Sequence, residues 1–572
     1  MGIFNFFKFF KDTFGGKIYK VKNSVKNEVY IDVDNLMIDM NGIFHTSAQK
    51  IFKYGSYKPA YETIVHNNTK NQEQVFKDVC ETVENILLTV NPNKRLIMCV
   101  DGPAPLAKQI QQSKRRYVSS LTKADDDDTI FDSNCISPGT KFMDYLNKYI
   151  DWYIRNKLSE DPLWQNLEIV FSSDKVEAEG EHKIQSYVRK YGKTNESFMI
   201  HGLDSDLIML SLISHCPKFY VLRDDTFDKN NNYLLLDMAL IRPEIINMMK
   251  WEEPLDYENK PIYKFNDNWA INDFVFLCFM VGNDFLHHVP ALEIVEGGIG
   301  VIIECYKKVS MEHGHITRIS NGKVIFSPKC LSMFFEMISG YEKELLERKM
   351  IHRHKYFEDE TLINSVKLND KTKNYDVDID KYRNLYCEHN FEKKEEEMIE
   401  ICHEYLTGLQ WVLQYYTTGV PDWNWFFPYH YTPPAKLIAV SLETYEPKVF
   451  RRNKPMLPFQ QLFYILPSKS CKLLPQPLDE ELKLMKSDTT DVEIDLSGKK
   501  YEYQGVVLLP FLDLKVVNKI YKKHYEKVSY VEKKRNYLGK TILYRYNPES
   551  SKLFKSYYGN FNSKVSLSNL EI

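Results

Sequence analysis

The chain has 572 residues, of which 43% are hydrophobic and 14% aromatic, and its formal net charge at pH 7 is −3. This length exceeds what one hydrophobic core supports and the composition excludes a disordered chain, so two or more folded regions are expected. No apolar run spans a bilayer, the lysine-interrupted start MGIFNFFKFFKDTFGG does not fit a signal peptide, and the ten cysteines form no C-x-x-C pair, which excludes the common zinc motifs. We therefore expect a soluble intracellular protein, cytoplasmic with the nucleus left open, and no membrane partner.

Short β-rich runs alternate with helical patterns through the first part of the chain. Strands are predicted at EVYIDVDNLMIDM, KRLIMCV, LEIVFSS, SFMIHGL and KFYVLR. Helical periodicity marks QVFKDVCETVENILLTV, GTKFMDYLNKYIDWYIRNKL and GEHKIQSYVRKYG. This alternation predicts an α/β core at residues 1–340, with a mostly parallel central sheet flanked by helices.

Two further regions follow the predicted α/β core. The charged interval 341–400 predicts exposed helices and a connecting loop. Residues 401–572 form a second region of mixed structure that packs on the core, is rich in aromatic residues at WNWFFPYHY and ends in a basic segment. Most of these aromatic side chains, Trp411 and Phe427 among them, are expected in a core, and His430 is expected to be a structural histidine.

Acidic side chains follow several predicted strands at the point where each strand ends. The seven candidates are Asp39, Asp101, Glu179, Glu181, Asp204, Asp206 and Asp284, the last of which follows an apolar run and joins from a helix end. Because ligands of open parallel sheets bind at the carboxyl ends of the strands, these side chains are expected to converge on one edge. An alternative is that each acid only caps a helix, which explains any single position but not the shared placement of most of the seven.

Convergence of seven carboxylates requires neutralisation, since two of them 4 Å apart repel by about 4 kcal/mol at an effective dielectric constant of 20. Divalent cations supply it, and a ligand set of oxygen atoms predicts two Mg²⁺ ions, with Mn²⁺ as a substitute, rather than zinc. Two such ions about 4 Å apart suit in-line hydrolysis of a phosphodiester.

A cationic helix is predicted directly after Asp101, in GPAPLAKQIQQSKRRY. With Pro105 in the first turn, the spacing places Lys108, Gln112, Arg115 and Arg116 in one stripe of about 100°. Such a stripe would hold a terminal phosphate through arginine forks and backbone donors. The alternative is a solvated basic face.

Seven stretches resemble, in order, the motifs of the Xrn/Rat family of 5′→3′ exoribonucleases. They are DNLMIDMNGIFH, VDGPAPLAKQIQQSKRR, ISPGTKFM, EGEHKI, GLDSDLIML, DFVFLCFMVGNDFL and WNWFFPYHYTPPA. The resemblance extends to YQGVVLLPFLD, near residue 513, and implies a PIN/FEN-like nuclease core. It also implies processive, Mg²⁺-dependent hydrolysis of 5′-monophosphorylated single-stranded RNA to nucleoside 5′-monophosphates.

The resemblance assigns roles to individual positions. The seven acids named above match the catalytic acids of the family, and Lys108, Gln112, Arg115 and Arg116 match its pocket for the 5′-monophosphate. His45 matches the histidine that stacks on a base near the scissile bond. The stacking tryptophan is Trp423, with Trp425 as the alternative.

The chain also departs from the family pattern. It opens with MGIFNFF instead of a proline-containing start, has Leu106 and Ser113 at positions of arginines, and has His287 in place of a proline. It is interpreted as a minimal family member restricted to the nuclease core, and its Lys/Asn/Ile/Tyr-rich composition fits an AT-rich genome such as that of a protist or a large DNA virus.

Two other functions remain open at this stage. One is a flap-endonuclease-like DNA nuclease, although EGGIGVIIECYKK only faintly resembles the helix-hairpin-helix of that class. The other is a catalytically inactive RNA-binding scaffold, which the seven intact acids argue against. Residues 515–545 carry ten lysine or arginine residues, which form either a solvated helix face or a surface that steers RNA. The sequence identifies no decapping or RNA-decay partner and no oligomeric state.

Overall fold

The computed structural model describes residues 5–21, 32–60, 65–121, 130–225, 232–258, 260–368, 374–487 and 491–572. The first four residues of the altered N-terminus and the beginning of the first predicted strand lie outside these ranges.

The β-strands are β1 (Ile18–Val21), β2 (Asn35–Asp39), β3 (Arg95–Cys99), β4 (Glu168–Ser172), β5 (Phe198–His201), β6 (Phe219–Asp224), β7 (Tyr233–Asp237), β8 (Thr317–Ser320), β9 (Lys323–Phe326), β10 (Val366–Leu368), β11 (Tyr375–Val377), β12 (Ile494–Asp495), β13 (Val506–Val507), β14 (Thr541–Tyr546), β15 (Lys552–Phe554), β16 (Phe561–Ser563) and β17 (Val565–Leu570).

The α-helices are α1 (Phe6–Phe14), α2 (Met40–Phe52), α3 (Thr69–Val90), α4 (Leu106–Leu121), α5 (Lys141–Glu160), α6 (Pro162–Gln165), α7 (Gly180–Tyr191), α8 (Asp206–Ile213), α9 (Met238–Met249), α10 (Asp267–Cys278), α11 (Gly298–His313), α12 (Pro328–Ile351), α13 (Glu360–Asn364), α14 (Ile379–Phe391), α15 (Ile399–Thr418), α16 (Ala435–Ser441), α17 (Pro458–Ile465), α18 (Leu478–Met485), α19 (Leu514–Tyr525) and α20 (Tyr530–Lys533). Across the described ranges, none of them combines the length and the apolarity needed to cross a bilayer.

The central sheet of the described chain has the strand order β1-β7-β6-β5-β2-β3-β4-β14-β17. Its five middle strands, β6 to β4, run parallel, as the sequence predicted. In the register of β2, Ile38 lies opposite both Met98 of β3 and His201 of β5. The carboxyl ends of these three strands are therefore level, and the loops that follow them leave from one edge.

Antiparallel strands extend the sheet on both sides of its parallel centre. At one side β7 pairs with β6 and β1 pairs with β7. At the other side β14 pairs with β4, and β17 pairs with β14. The C-terminal segment thus covers the edge of β4, which would otherwise expose unpaired backbone groups. Our sequence prediction contained neither pair of added strands, and it placed the basic C-terminal segment in the second region.

Helices cover both faces of the sheet, and the strand side chains alternate between two cores. Leu36 and Ile38 of β2 face a core built with α2, α3 and α5. Met37 faces the opposite core, where α7, α8, α9 and α10 pack. The second core continues into α11, α12 and α15 without a break, so the sheet and the following helices share one hydrophobic interior.

The helices of the charged interval 341–400 bury one face against the core. Leu345 and Leu346 of α12 and Tyr382 of α14 are buried in the core, and the buried Glu342 is paired with Arg383. The charged residues on one face of these helices dominate the composition of the interval, so the apolar positions on the other face were not recognised from the sequence. The exact domain division at 341 and 401 stays a prediction.

Candidate active site

The seven predicted acids lie in the loops and helix ends that follow the parallel strands. Asp39 is the last residue of β2, and Asp101 follows β3. Glu179 and Glu181 flank the start of α7, and Asp204 and Asp206 flank the start of α8. Asp284 follows α10 and a short 3₁₀ turn at residues 279–281.

The seven acids form one cluster, because repulsion between their charges links each of them to at least one other. Asp39 is repelled by Asp101, Asp204 and Glu179. Glu181 is repelled by Asp206, Glu179 and Asp204, and Asp206 is repelled by Asp284. The structure therefore brings all seven predicted acids to one edge of the sheet.

Gly180 makes the close approach of these acids possible. Its backbone N–H donates to Oδ1 of Asp101 at 2.7 Å. A Cβ atom at this position would lie 2.7 Å from Oδ1 of Asp39 and 3.0 Å from the carbonyl oxygen of Cys99. Only a residue without a side chain fits between β2, β3 and α7 here.

Helix capping does not explain the two acids that stand at helix N-caps. Asp39 is the N-cap residue of α2 and Glu179 that of α7, but neither side chain makes a capping hydrogen bond. Their carboxylates are directed into the cluster instead. The backbone N–H of Asn41 in the first turn of α2 still acts to lower the pKa of Asp39, so the capping alternative is disfavoured most clearly for Glu179.

Burial and like charges make the cluster costly in the absence of a cation. Burial, with repulsion by Asp101 next, raises the pKa of Asp39 well above its ordinary value. Burial, with repulsion by Asp284, raises the pKa of Asp206 to about 7. Oδ1 of Asp39, Oε2 of Glu181 and Oδ1 of Asp206 are buried and have no hydrogen-bond partner within the described residues. Three oxygen atoms are thus available to a cation.

Lys108 is the cation that the structure places inside this cluster. Its ammonium contacts Oε2 of Glu179 and lies 2.6 Å from Oδ2 of Asp284. Burial acts to raise the pKa of Asp284, but the charge and hydrogen bond of Lys108, together with other positive charges that include Arg115, lower the pKa overall. Lys108 therefore contacts the carboxylates, whereas Arg115 and Arg116 lie farther along α4. The four residues of the predicted stripe thus do not share one environment.

Arg116 is a half-buried cation that has no carboxylate partner among the described residues. Its guanidinium donates to Oγ of Ser137 at 2.7 and 3.2 Å and to the carbonyl oxygen of Gln112 at 3.3 Å. Across the described ranges it makes no ion pair, and burial, with repulsion by Arg115, lowers its pKa. Arg115 beside it is exposed and Gln112 is buried. This end of α4 therefore has unneutralised positive charge that an anion would stabilise.

His45 connects the arginines with the carboxylates. It lies on α2 and is half-buried. Burial lowers its pKa to about 4; Arg115 and Arg116 add to this, and Asp204 opposes it. The imidazole is therefore neutral at neutral pH, and its surroundings place it between the two halves of the site.

Trp423 and Trp425 have different environments, although both are buried. The ring of Trp425 stacks on Trp411 at 5.3 Å inside the main core. Trp423 belongs to none of the hydrophobic clusters of the described chain. Its carbonyl oxygen accepts from the N–H of Leu106 at 2.8 Å, which fixes it at the start of α4. The geometry favours Trp423 over Trp425 as the residue near the site.

Helix α15 supplies side chains that sequence reasoning missed. The Tyr415 hydroxyl donates to Oε1 of Glu179 at 2.6 Å. Burial, with the nearby carboxylate of Asp206 next, raises the pKa of Tyr416 well above its ordinary value. His182 stacks on Tyr415 at 3.6 Å, and one of its ring nitrogens lies within 4.8 Å of carboxylate oxygens of Glu179 and Glu181. Their tyrosine-rich motif, LQYYTT, resembled an ordinary core helix, so no sequence signal distinguished them.

Comparison with protein families matches the chain in two parts. Residues 1–225 match the XRN 5′-3′ exonuclease N-terminus, and residues 264–381 and 370–569 match the Xrn1 helical domain. The chain belongs to the XRN 5′-3′ exonuclease family. Six of the seven acids lie in the first matched part, and Asp284 and Tyr415 lie in the second. The XRN site is thus built from both.

Relatives of this XRN-family chain include named exoribonucleases. It is 28% identical to 5′-3′ exoribonuclease 1 of Saccharomyces cerevisiae over 99% of this chain and 46% of that protein. It is 27% identical to the 5′-3′ exoribonuclease 2 homolog of Drosophila melanogaster, over 93% of this chain and 70% of the relative, and 27% identical to 5′-3′ exoribonuclease 2 of Gallus gallus, over 92% and 68%. The chain therefore spans less than half of the yeast protein.

Proposed function

We propose that this chain is a 5′→3′ exoribonuclease that hydrolyses 5′-monophosphorylated single-stranded RNA to nucleoside 5′-monophosphates. The observation that carries the proposal is the close placement of two features, a cluster of seven acids and the guanidinium of Arg116, which forms no ion pair within the described residues. The first suits hydrolysis of a phosphodiester and the second suits an anionic RNA end. The names of the family relatives support the direction of digestion and the RNA substrate.

The acidic cluster fits divalent cations. Asp39, Asp101, Glu179, Glu181, Asp204, Asp206 and Asp284 offer oxygen atoms, three of which are buried without a hydrogen-bond partner in the described chain. Oxygen ligands favour Mg²⁺, with Mn²⁺ as a substitute, and we propose two ions. When bound, such ions lower the pKa of an attacking water and stabilise the charge that develops on the phosphate oxygens.

We propose that helix α4 receives the 5′ end of the RNA. Arg116, held in place by Ser137, would donate to the terminal phosphate, with Arg115 and Gln112 beside it. A guanidinium offers two parallel donors to a phosphate, so the interaction is oriented as well as strong. Lys108, between this end of α4 and the acids, would neutralise Glu179 and Asp284 and align the leading nucleotide.

We propose that His45 and Trp423 hold the bases by stacking. A neutral imidazole such as that of His45 stacks without bringing a charge against the base. Stacking contributes about 1–3 kcal/mol per base and is tolerant of sequence. An enzyme that grips every base in this way can digest any RNA sequence and move along it one nucleotide at a time.

An assay on end-labelled RNAs that differ only in the 5′ group tests the proposal. With Mg²⁺ present, the 5′-monophosphate RNA should be degraded to mononucleotides, and RNAs with a 5′-hydroxyl or 5′-triphosphate should be degraded much more slowly. A DNA flap substrate belongs in the same experiment. Cleavage of the flap in preference to the RNA would favour the DNA nuclease, and binding of RNA without cleavage would favour the scaffold.

The structure offers no support for the flap-endonuclease alternative at EGGIGVIIECYKK. This stretch lies mostly in the single helix α11, which is followed by the two-stranded sheet of β8 and β9.

All ten cysteines are free thiols, and nine are buried, which is consistent with the cytoplasmic location that we propose.

A further inference from the structure

Helix α19 presents a stripe of lysines on the outside of the molecule. Lys515, Lys519, Lys522 and Lys523 are spaced at i, i+4, i+7 and i+8, and all four are exposed. The opposite face buries Val517, Tyr521 and His524. The stripe is therefore held in one orientation by a packed face and is not a feature of a loose tail.

The charge of this stripe is not neutralised by the surrounding acids. Within the described residues none of the four lysines forms an ion pair, and the nearest acids along the chain, Asp513 and Glu526, stand at the two ends of α19. Among the neighbouring acids, Asp513 accepts from the backbone N–H of Lys515, Glu481 of α18 contacts His524, and Glu532 pairs with Lys141 and Arg535. On other helices exposed lysines do pair with acids four residues away, as Lys148 does with Asp144. A local positive surface on a chain of net charge −3 calls for a polyanionic partner.

Exposed aromatic rings follow the stripe in the chain. Tyr530 is 77% exposed and Tyr537 is 52% exposed. The ammonium of Lys534 lies 5.0 Å from the Tyr530 ring centre, and that of Lys533 lies 5.1 Å from the ring centre of Tyr525. Cations that track a backbone next to rings that accept bases are the two components of surfaces for single-stranded nucleic acid.

The surface is anchored to the substrate-binding helix through one intervening helix. Tyr521 of α19 packs on Phe463 of α17 with ring centres 6.1 Å apart. On its other side α17 contacts α4, where Nε2 of Gln461 donates to Oε1 of Gln112 at 3.4 Å. Packed helices lie about 8–10 Å apart, so the axes of α19 and α4 are separated by at most about 20 Å.

We propose that α19 and the segment that follows it form a second RNA-binding surface, outside the cleft, which holds the part of a long substrate that has not yet entered. This inference rests on the proposed function, since it takes the substrate to be RNA. An anionic membrane is the less suitable partner because the apolar face of α19 is already buried against α17 and α18. The "α19 surface" denotes Lys515, Lys519, Lys522, Lys523 and Tyr530.

The test compares RNA binding by two triple variants in an Asp206→Asn background, which removes turnover from the measurement. The first variant carries Lys519→Gln, Lys522→Gln and Lys523→Gln. The control carries Lys70→Gln, Lys323→Gln and Lys329→Gln, which change the net charge equally at exposed positions elsewhere. Affinity for 3′-labelled RNAs of roughly 5 and 30 nucleotides is measured by fluorescence anisotropy at several salt concentrations.

The first variant should bind the long RNA about tenfold more weakly at low salt, and the slope of log affinity against log salt should fall by about 2, as expected for three lost phosphate contacts. The short RNA should bind as before, and the control should match the parent with both RNAs. Unchanged affinity and slope for the long RNA, or equal losses in both variants, would overturn the inference.

Two further measurements separate the possible causes. If the first variant lost binding to phosphatidylserine vesicles but kept its affinity for long RNA, the surface would serve a membrane and the inference would be wrong. Melting temperatures equal to that of the parent show that the substitutions did not unfold the chain. Activity of the unmodified chain is assayed separately, so a failure of the proposed nuclease function is recognised independently of RNA binding.

Discussion

The hydroxyl of Tyr415 donates a 2.6 Å hydrogen bond to Oε1 of Glu179, joining helix α15 to the edge of the central sheet. Because the other carboxylate oxygen of Glu179 contacts Lys108, both oxygen atoms of this carboxylate have a partner. Tyr415→Phe removes only the hydroxyl. A hydrogen bond to a charged group contributes about 1.5–3 kcal/mol, so we expect Mn²⁺ affinity, measured by calorimetry, to fall roughly tenfold or more.

Tyr405→Phe is the matched control for Tyr415. Tyr405 lies on the same helix and is fully buried, but its hydroxyl has no hydrogen-bond partner among the described residues. The control should bind Mn²⁺ as the parent does. If both variants lost affinity equally, the effect would belong to the packing of α15 and not to the hydrogen bond.

Asp206→Asn should reduce the rate of RNA hydrolysis by about 10²–10³ or more, because the neutral amide is a poor ligand for a divalent cation. RNA binding should remain measurable, since Arg116 and the α19 surface are unaffected. Asp376→Asn, at an exposed position on β11, is the control and should keep parental activity. Single-turnover hydrolysis and anisotropy give the two quantities, and robust hydrolysis by Asp206→Asn would exclude this carboxylate from the metal site.

Arg116→Met should erode the preference for a 5′-monophosphate over a 5′-hydroxyl. The guanidinium is held by Ser137 and has no ion pair within the described ranges, so its loss removes a charge-assisted contact worth about 1.5–3 kcal/mol, or roughly 10- to 100-fold. The ratio of kcat/KM for the two RNAs is the measurement. The exposed Arg451→Met provides the comparison, and an unchanged ratio in Arg116→Met would mean that the phosphate binds elsewhere.

Gly180→Ala and Gly42→Ala should change stability in opposite directions. Both residues lie near the start of a helix, where alanine is intrinsically favoured over glycine by about 1 kcal/mol. A Cβ at Gly42 meets open space, whereas one at Gly180 would press on Asp39 and the Cys99 carbonyl. Thermal unfolding should show Gly42→Ala at or above the parent and Gly180→Ala below it; stabilisation by Gly180→Ala would contradict the described packing.

Several features of the chain follow from local sequence patterns. The five parallel strands β2 to β6 were predicted because short apolar runs alternate with amphipathic helices, and their carboxyl ends determine where Asp39, Asp101, Glu179 and Asp206 lie. Strand direction and side-chain alternation depend on near neighbours in the chain, so a sequence pattern is enough to indicate them. The family motifs rest on the same local information.

Other features depend on contacts between distant parts of the chain. Glu179 and Tyr415 are 236 positions apart, and Lys108 and Asp284 are 176 apart. The pairing of β14 with β4 joins Leu543 to Val170. In each case the packing of the whole core determines which residues meet. A tyrosine in an apolar helix, such as Tyr415, or a lysine in a basic stripe, such as Lys108, has the same local sequence pattern whichever side chain it contacts. The sequence by itself therefore determined the family, the parallel centre of the sheet and the position of the acids, whereas only the tertiary structure decided the antiparallel strands, the groups that hold those acids and the cations that can contact an anion.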